Sequence, residues 1–401
     1  MSAPILLDLT HTSHTRARTG IQRLARSLWG QWREFALPVC RDPYRRGWRP
    51  LERWELDTLD QARPAANRKA TWPLQARLRG WAARAAGRGN AAIPSGSAFL
   101  TPEIFSPSVA QALTELFAGV DGPRAAVFPD AVAVKFPELT PAKTVARYPA
   151  YLQELLRFDG VAAISEESRD ALVDYWRWLG LSGTPPVVAI PLGVQRPAES
   201  AGICSGAAPG AAPTVLCVGS LEGRKNHLAL LEACETLWKA GLAFELRLIG
   251  LTNPETGQAV RERISALGRA GFPLRYEGAV EDRVLEEAYR DCSFTVYPSL
   301  AEGFGLPIAE SLSRGRVCVC SGRGALGETA RGGGCLALDR VDPTGLAEGI
   351  GRLLRSPEEL AGLTAAAAAR PIAATVRRAA GRPAPVYPYR VQLSCVICCA
   401  Y

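Results

Sequence analysis

Short apolar runs alternate with longer stretches of helical spacing along most of this chain. In the first half, PILLDL (4–9), AAVFPD (125–130), GVAAIS (160–165) and PVVAIPLG (186–193) read as buried strands. The pattern restarts with TVLCVGS (214–220), FELRLIG (244–250), LRYEGA (274–279), FTVYPS (294–299), RVCVCS (316–321) and CLALD (335–339). Helix candidates lie between them, such as NHLALLEACETLWKAG (226–241) and EDRVLEEAYRDC (281–292). Strand and helix in alternation predict parallel sheets covered on both faces. QRPAESAGICSGAAPGAAP (195–213), rich in Pro, Gly, Ala and Ser, reads as a linker. The expected architecture is α/β, with two doubly wound Rossmann-like domains facing across a cleft. The first spans 1–194, the linker 195–212 and the second 213–365, with an atypical tail over 366–401. In open parallel sheets, ligands bind outside the carboxyl ends of the strands. Motifs at those ends therefore carry most weight.

Composition supports two cores. The chain has 401 residues, 47% of them hydrophobic and 21% charged. No run approaches the roughly 20 uncharged apolar residues of a membrane span. Met1 to Leu9 enters a short apolar run without a basic lead or a small-residue cleavage site, so no signal peptide is expected. The 11 cysteines are odd in number and scattered, and Cys217, Cys318 and Cys320 fall in strand-like runs. A reduced, cytoplasmic setting is the simplest reading. Cys395-x-x-Cys398 in the tail has no second pair to complete a zinc site and reads as non-functional.

Net charge is +8, and lysine occurs only at Lys69, Lys135, Lys143, Lys225 and Lys239. Ten arginines between Arg16 and Arg53 surround Trp29, Trp32, Trp48 and Trp54. That mixture suits an anionic membrane surface. It also suits nucleic acid, and it equally describes a solvated basic face.

Two strand ends hold candidate chemistry. YPSLAEGFGLPIAESLSRG (297–315) runs from a strand through a glycine-rich turn into a helix that Pro307 opens and Gly315 ends. Its glycines let a ligand approach the backbone, and the helix start offers free N–H groups to an anion. Glu302 sits in the turn, and Glu310 is expected in the first helical turn. One carboxylate could hold a ribose while the other meets the reacting group; a helix-start acid and a surface-loop acid are the plainer alternative. VGSLEGRKNH (218–227) also follows a strand and precedes a helix. Arg224 and Lys225 there are adjacent cations at a position the helix dipole disfavours. An anion would compensate, and an ammonium beside a guanidinium suits a diphosphate. The plainer alternative is an exposed basic turn.

These residues carry a resemblance. EGRKN followed by PSLAEGFGLPIAES resembles the nucleotide-sugar half of retaining family-four glycosyltransferases of GT-B fold, across about 214–355, with the spaced glutamates matching the family's E-x7-E motif. The first half is more weakly similar to bacterial surface-polysaccharide mannosyl- and rhamnosyl-type transferases, through LLDLTHTSHTRARTGIQRLARSLW, VFPDAVAVKFPELT, GVAAISEESRDAL and VVAIPLGV. The resemblance implies transfer of a hexose from a nucleoside-diphosphate sugar to a glycan or lipid-linked acceptor. It implies retention of configuration, with no cofactor and no metal. Arg224 and Lys225 would bind the donor diphosphate and Glu310 the ribose. Glu302 would contact the transferred sugar. Amides of Gly303, Phe304, Gly305 and Leu306 would touch sugar and phosphate, and Gly20 would let the N-terminal loop approach donor or acceptor. GDP-mannose leads as donor, with UDP-sugars close behind. The expected place of work is the cytoplasm at the inner face of the membrane, with peripheral contact to anionic lipid and no nucleic-acid partner.

Two departures stand out. Related sequences often have His-Asp where this chain has Pro129-Asp130, and proline cannot replace that histidine at the donor sugar. His11 and His14 are expected as solvated loop residues. The tail also lacks the look of the family's final crossover helix. Two rival readings follow: a catalytically impaired GT-B-shaped scaffold at the membrane surface, and an NAD-dependent oxidoreductase. The second rests on Gly322-x-Gly324-x-x-Gly327 with Asp339 or Asp342 downstream, but that glycine run comes late in the chain and leaves room for only a short helix.

Overall fold

The computed structural model describes residues 4–60, 70–88, 98–194, 212–370 and 389–390. Nearly all of the expected linker and of the tail, with Cys395 and Cys398, lies outside them. The chain divides into two compact units, one built mainly from residues 1–134 and 143–193 and the other from 135–142 and 194–374.

The first unit contains β1 (Ile5–Asp8), α1 (Gly20–Trp32), β2 (Ala36–Asp42), β3 (Gly47–Pro50), α2 (Arg53–Asp60), α3 (Leu74–Ala85), β4 (Phe99–Thr101), α4 (Pro107–Phe117), β5 (Arg124–Phe128), α5 (Val132–Lys135), α6 (Ala142–Glu154), β6 (Gly160–Ala163), α7 (Glu166–Trp178) and β7 (Val187–Ala189), with the last residue of α5, Lys135, and the first of α6, Ala142, grouping with the second unit. Its seven strands run in the order β3-β2-β1-β4-β5-β6-β7. All neighbours are parallel except the β2–β3 edge hairpin. The strands read as apolar runs because helices cover the sheet. Leu6, Phe99, Ala126, Phe128, Val161 and Ala163 meet Leu113, Leu152, Leu172 and Trp176 in one buried cluster. Local signals start the helices. Thr19 and Gln22 form a capping box on α1. The Ser106 and Ser165 side chains accept backbone amides at the starts of α4 and α7.

After the short β8 (Gly193–Val194), the second unit contains β9 (Thr214–Val218), α8 (His227–Lys239), β10 (Glu245–Ile249), α9 (Gln258–Arg269), β11 (Leu274–Tyr276), α10 (Asp282–Asp291), β12 (Phe294–Tyr297), α11 (Leu306–Ser313), β13 (Cys318–Ser321), α12 (Gly324–Ala330), β14 (Cys335–Leu338), α13 (Pro343–Arg355) and α14 (Pro357–Ala369). All of its sheet pairings are parallel, in the order β11-β10-β9-β12-β13-β14. Its core packs Val215, Leu246, Leu248, Phe294, Val296 and Val319 against Leu230, Leu237, Leu346 and Ile350. Cys217, Cys318 and Cys320 are buried free thiols in strands, as expected of small hydrophobes. Gly250 ends β10 at φ +155°, where an added Cβ would lie 1.9 Å from the Gly219 carbonyl oxygen, so only glycine fits.

Each sheet has a switch point. In the first the chain leaves β1 for β2 on one side and resumes at β4 on the other. In the second the same reversal falls between β9 and β12. Ligand crevices form outside the carboxyl ends of strands at such points.

The arginine and tryptophan cluster differs from its expected exposure. Trp29, Trp32 and Trp48 are buried, as are Arg26 and Arg49. Trp54 is partly buried. The reason is that residues 36–50 form β2 and β3, so Trp48 enters the core and donates from Nε1 to the Ala112 carbonyl at 3.1 Å. Arg16, Arg33, Arg46 and Arg53 remain exposed.

Candidate functional site

The second unit's switch point brings Arg224, Lys225 and Glu302 together. The loop after β9 forms a single turn of 3-10 helix over Gly223–Lys225, and Asn226 then takes a left-handed conformation (φ 57°) before α8 begins. The two cations thus precede the helix rather than occupy its first turn. Asparagine tolerates that backbone better than most residues. Its side-chain amide ties three loops, donating to the Val341 carbonyl at 2.7 Å and the Pro298 carbonyl at 3.3 Å. The Leu300 amide donates in turn to the Arg224 carbonyl at 2.8 Å. The two strand ends are therefore stitched backbone to backbone.

Glu302 sits at the centre. Its Oε1 accepts from Lys225 Nζ at 2.5 Å, Ser299 Oγ at 2.7 Å and Tyr297 Oη at 2.8 Å. Its Oε2 meets the Arg224 guanidinium, which also pairs with Glu222 at 2.9 Å. The Glu302 side chain is only 11% exposed. Burial alone would raise its pKa, but Arg224 and Lys225 overcome that and hold it far below the usual carboxylate range. Burial lowers Lys225, against the pull of Glu302. Two cations thus share one full carboxylate, with Glu222 as second counter-charge to Arg224. Tyr297, Ser299 and Asn226 were not anticipated; Asn226 directly follows Lys225, and Tyr297 and Ser299 precede Glu302 by five and three residues, which is the signal that could have found them.

Glu310 lies apart from this cluster. It is the fifth residue of α11, not in the first turn as expected, because the helix begins at Leu306 rather than at Pro307. It is buried and accepts from Tyr289 Oη at 3.2 Å. Gly305 caps α11 at φ +95°, and an added Cβ would come 2.9 Å from Leu326. This turn lets the first-turn amides of α11 point out of the helix beside Gly303, Phe304 and Leu306. Gly20 is the first residue of α1, exposed, in the other unit.

The remaining candidates fall as follows. Gly322 and Gly324 follow β13, away from the switch point, and α12 has seven residues. Asp342 is the N-cap of α13, accepting from the Gly345 amide at 2.8 Å. The Pro129 carbonyl accepts from Ser168 Oγ at 3.1 Å, and Asp130 accepts the Val132 amide at 2.9 Å. His14 is not solvated: it is buried, stacks on Trp72 at 3.9 Å between ring centroids, and bonds Glu55 at 2.7 Å through Nε2. Arg49 takes both Glu55 oxygens, at 2.7 and 2.8 Å. Burial opposes ionisation of Glu55, yet His14 and Arg49 bring its pKa down to about 2. His14, Cys40 and Glu55 lie within metal-binding reach of one another. With Arg49 on both carboxylate oxygens, the group is built as a charge network that fixes the loop after β1. His11 is exposed, as expected.

Comparison with known proteins agrees with the second unit's geometry. Residues 212–356 match the family model described as glycosyl transferases group 1. The chain is 24% identical to the serotype-specific mannosyltransferase WbdA of Escherichia coli over 328 residues, 77% of this chain and 38% of that protein. It is 36% identical to the O-antigen chain mannosyltransferase B of Escherichia coli over 123 residues, 30% of this chain and 32% of that protein. The chain thus spans about a third of the length of these curated relatives. Among solved structures, HepE of Anabaena in complex with UDP and glucose superposes with a TM-score of 0.62 at 15% identity, covering 91% of this chain and 93% of that one. Sucrose-phosphate synthase of Thermosynechococcus elongatus gives 0.60 at 18% identity, with 91% and 93% coverage.

Proposed function

We propose, from the premise that this chain belongs to the group 1 glycosyltransferases of GT-B fold, that it moves a hexose from a nucleoside-diphosphate sugar to a growing bacterial surface glycan. The observation that carries this reading is the Arg224–Glu302–Lys225 cluster at the switch point between β9 and β12. A diphosphate brings more negative charge than one carboxylate. It displaces Glu302 from the two cations, which then stabilise the charge that develops on the leaving group. Glu302, released, faces the transferred sugar. Glu310 holds the ribose, and the amides of Gly303 to Leu306 add contacts to sugar and phosphate. No metal or cofactor is needed in this scheme, and configuration is retained.

The mannosyltransferase relatives favour mannose from GDP-mannose; the UDP complexes of fold neighbours keep a UDP-sugar as second choice. The acceptor is a glycan carried on lipid at the inner membrane face. Any contact with anionic lipid would use the exposed arginines Arg16, Arg33, Arg46 and Arg53, because the tryptophans between them are turned inward.

The test is transfer from GDP-mannose and UDP-glucose to a mannan oligosaccharide, followed as release of nucleoside diphosphate and growth of the glycan. Mannosylated product from GDP-mannose supports the proposal. Donor binding without turnover would favour the impaired scaffold with Pro129-Asp130, and binding of NAD alone would remove the reading.

A further inference from the structure

Helix α3 (Leu74–Ala85) is amphipathic in the wrong direction for a folded core. A surface helix normally buries its apolar stripe and turns polar residues outward. Here the inward face is built from small residues, with Ala76 and Gly80 buried. Gly80 packs so closely on the turn between β2 and β3 that an added Cβ would lie 2.8 Å from Tyr44 Cβ. The large apolar side chains face the other way. Leu74, Leu78 and Trp81 are 62%, 52% and 45% exposed. Their spacing, i, i+4 and i+7, puts them on one side of the helix, and the exposed Ala82 and Ala85 extend the stripe. The stripe is fixed in place. The Trp81 ring meets Tyr44 edge-on at 5.6 Å between centroids, and the Arg77 guanidinium lies over both rings. A contiguous exposed apolar surface of this kind marks an interaction site.

The charge around the stripe names the partner's sign. Residues 71–88 hold Arg77, Arg79, Arg84 and Arg88 and no acid. Arg79 reaches Glu52 at 2.8 Å from a largely exposed position. Arg84 and Arg88 are exposed and enter no ion pair among the described residues. Arg46, exposed in the turn beneath the helix, is likewise unpaired among them. A second copy of α3 would bring arginine against arginine with no carboxylate to receive it. The partner is therefore anionic, with an apolar layer that accepts leucine and tryptophan.

An anionic bilayer has both. The stripe is the outer surface of a helix rather than a groove, so it needs no matched side chains opposite. Leucine and tryptophan enter at headgroup level while arginine heads stay with the phosphates. Twelve residues give a helix roughly 18 Å long, which lies in the interface and does not span it. The other exposed tryptophan cluster lacks this chemistry. Trp178, Leu179 and Leu181 are exposed at the end of α7, a helix that carries Glu166, Glu167, Asp170 and Asp174.

We propose that α3 docks this chain on an anionic lipid surface, with Leu74, Leu78 and Trp81 among the headgroups and Arg46, Arg79, Arg84 and Arg88 against lipid phosphates. That the same membrane carries the glycan acceptor rests on the glycosyltransferase reading; the docking face does not.

The test is co-sedimentation of the full chain with phosphatidylcholine vesicles, with and without phosphatidylglycerol, at low salt. It is repeated on Leu74→Gln/Leu78→Gln and on Arg84→Gln/Arg88→Gln. Trp178→Ala and Arg269→Gln, which remove an exposed tryptophan and an exposed arginine elsewhere, serve as controls. Wild type and both controls should sediment with the anionic vesicles only. Loss of the two leucines, or of the two arginines, should weaken that binding about tenfold or more. The leucine variant should melt as wild type does, because both side chains are exposed, so its loss could not be blamed on misfolding. No sedimentation with anionic vesicles would leave the face to a protein partner and overturn the proposal. Equal binding to neutral vesicles, or weakening no greater in the α3 variants than in the controls, would overturn it too. Lipid-free self-association abolished in Leu74→Gln/Leu78→Gln would assign the face to a second copy instead. Failure of the transferase reading would show differently, as intact vesicle binding with no response to any nucleoside diphosphate.

Discussion

Glu302 neutralises two buried cations in the ligand-free protein, and that gives its replacement an unusual signature. Glu302→Ala leaves Arg224 and Lys225 repelling each other with only Glu222 nearby. Removing one partner of such a buried pair costs about 3 kcal/mol or more, so chemical denaturation should show a clear loss of stability. Transfer should be abolished, while free nucleoside diphosphate binds at least as tightly as in wild type, because the competing carboxylate is gone. Full activity in Glu302→Ala would contradict its role at the sugar. The pH dependence has opposite signs at the two switch points. Glu302 is depressed, so its contribution is present above about pH 4.5 and fades as pH falls. Asp8 is raised from 3.8 to about 7. Between those values the unfolded chain releases the proton and the folded chain keeps it, so this group's contribution declines as pH rises. Asp8→Asn should therefore gain stability relative to wild type at pH 7.5 compared with pH 5, measured by urea denaturation at both. An unchanged difference would mean that Asp8 titrates normally.

Elements hold these residues in place through positions with special backbone demands. Asn226 joins the loop after β9 to those after β12 and β14. Asn226→Ala loses two hydrogen bonds and a tolerant left-handed residue, about 2 kcal/mol together, and should lower donor affinity more than Asn226→Gly. Gly305→Ala adds a Cβ at φ +95° against Leu326 and should cost about 2 kcal/mol or more, read as a lower melting temperature. At this scale much was legible. GFGLP announces a positive-φ turn, a proline helix start and a phosphate-accessible backbone, and all ten strands expected from apolar runs form. What escaped was β2, β3 and β4. ALPVCRD and GWRP mix arginine and aspartate into a strand, because Arg49 satisfies Asp42 and Glu55 inside the fold at 2.9 and 2.7 Å. Buried ion pairs give a strand the composition of a basic surface, and that same masking suggested a membrane face for tryptophans that are in the core. The register of α11, and with it Glu310, shifted because Gly305 rather than proline sets the helix start.

The whole molecule repeats one device. Each unit is a doubly wound sheet whose order reverses once, and at each reversal charged side chains from two strand ends meet: Asp8 and Glu103 in one, Arg224, Lys225 and Glu302 in the other. The second set was readable from sequence because its residues sit in two short motifs. The first was not, since Asp8 and Glu103 lie far apart in the sequence and only the fold brings β1 beside β4. The most direct measurement of the central claim is thermal stability with saturating GDP, UDP and NAD, in wild type and Lys225→Ala. A nucleoside diphosphate at a hundred times its dissociation constant should stabilise wild type by roughly 2.7 kcal/mol, a clear rise in melting temperature. That rise should largely vanish in Lys225→Ala. A rise with NAD alone, or one that persists undiminished without Lys225, would contradict a diphosphate site at the β9–β12 switch point.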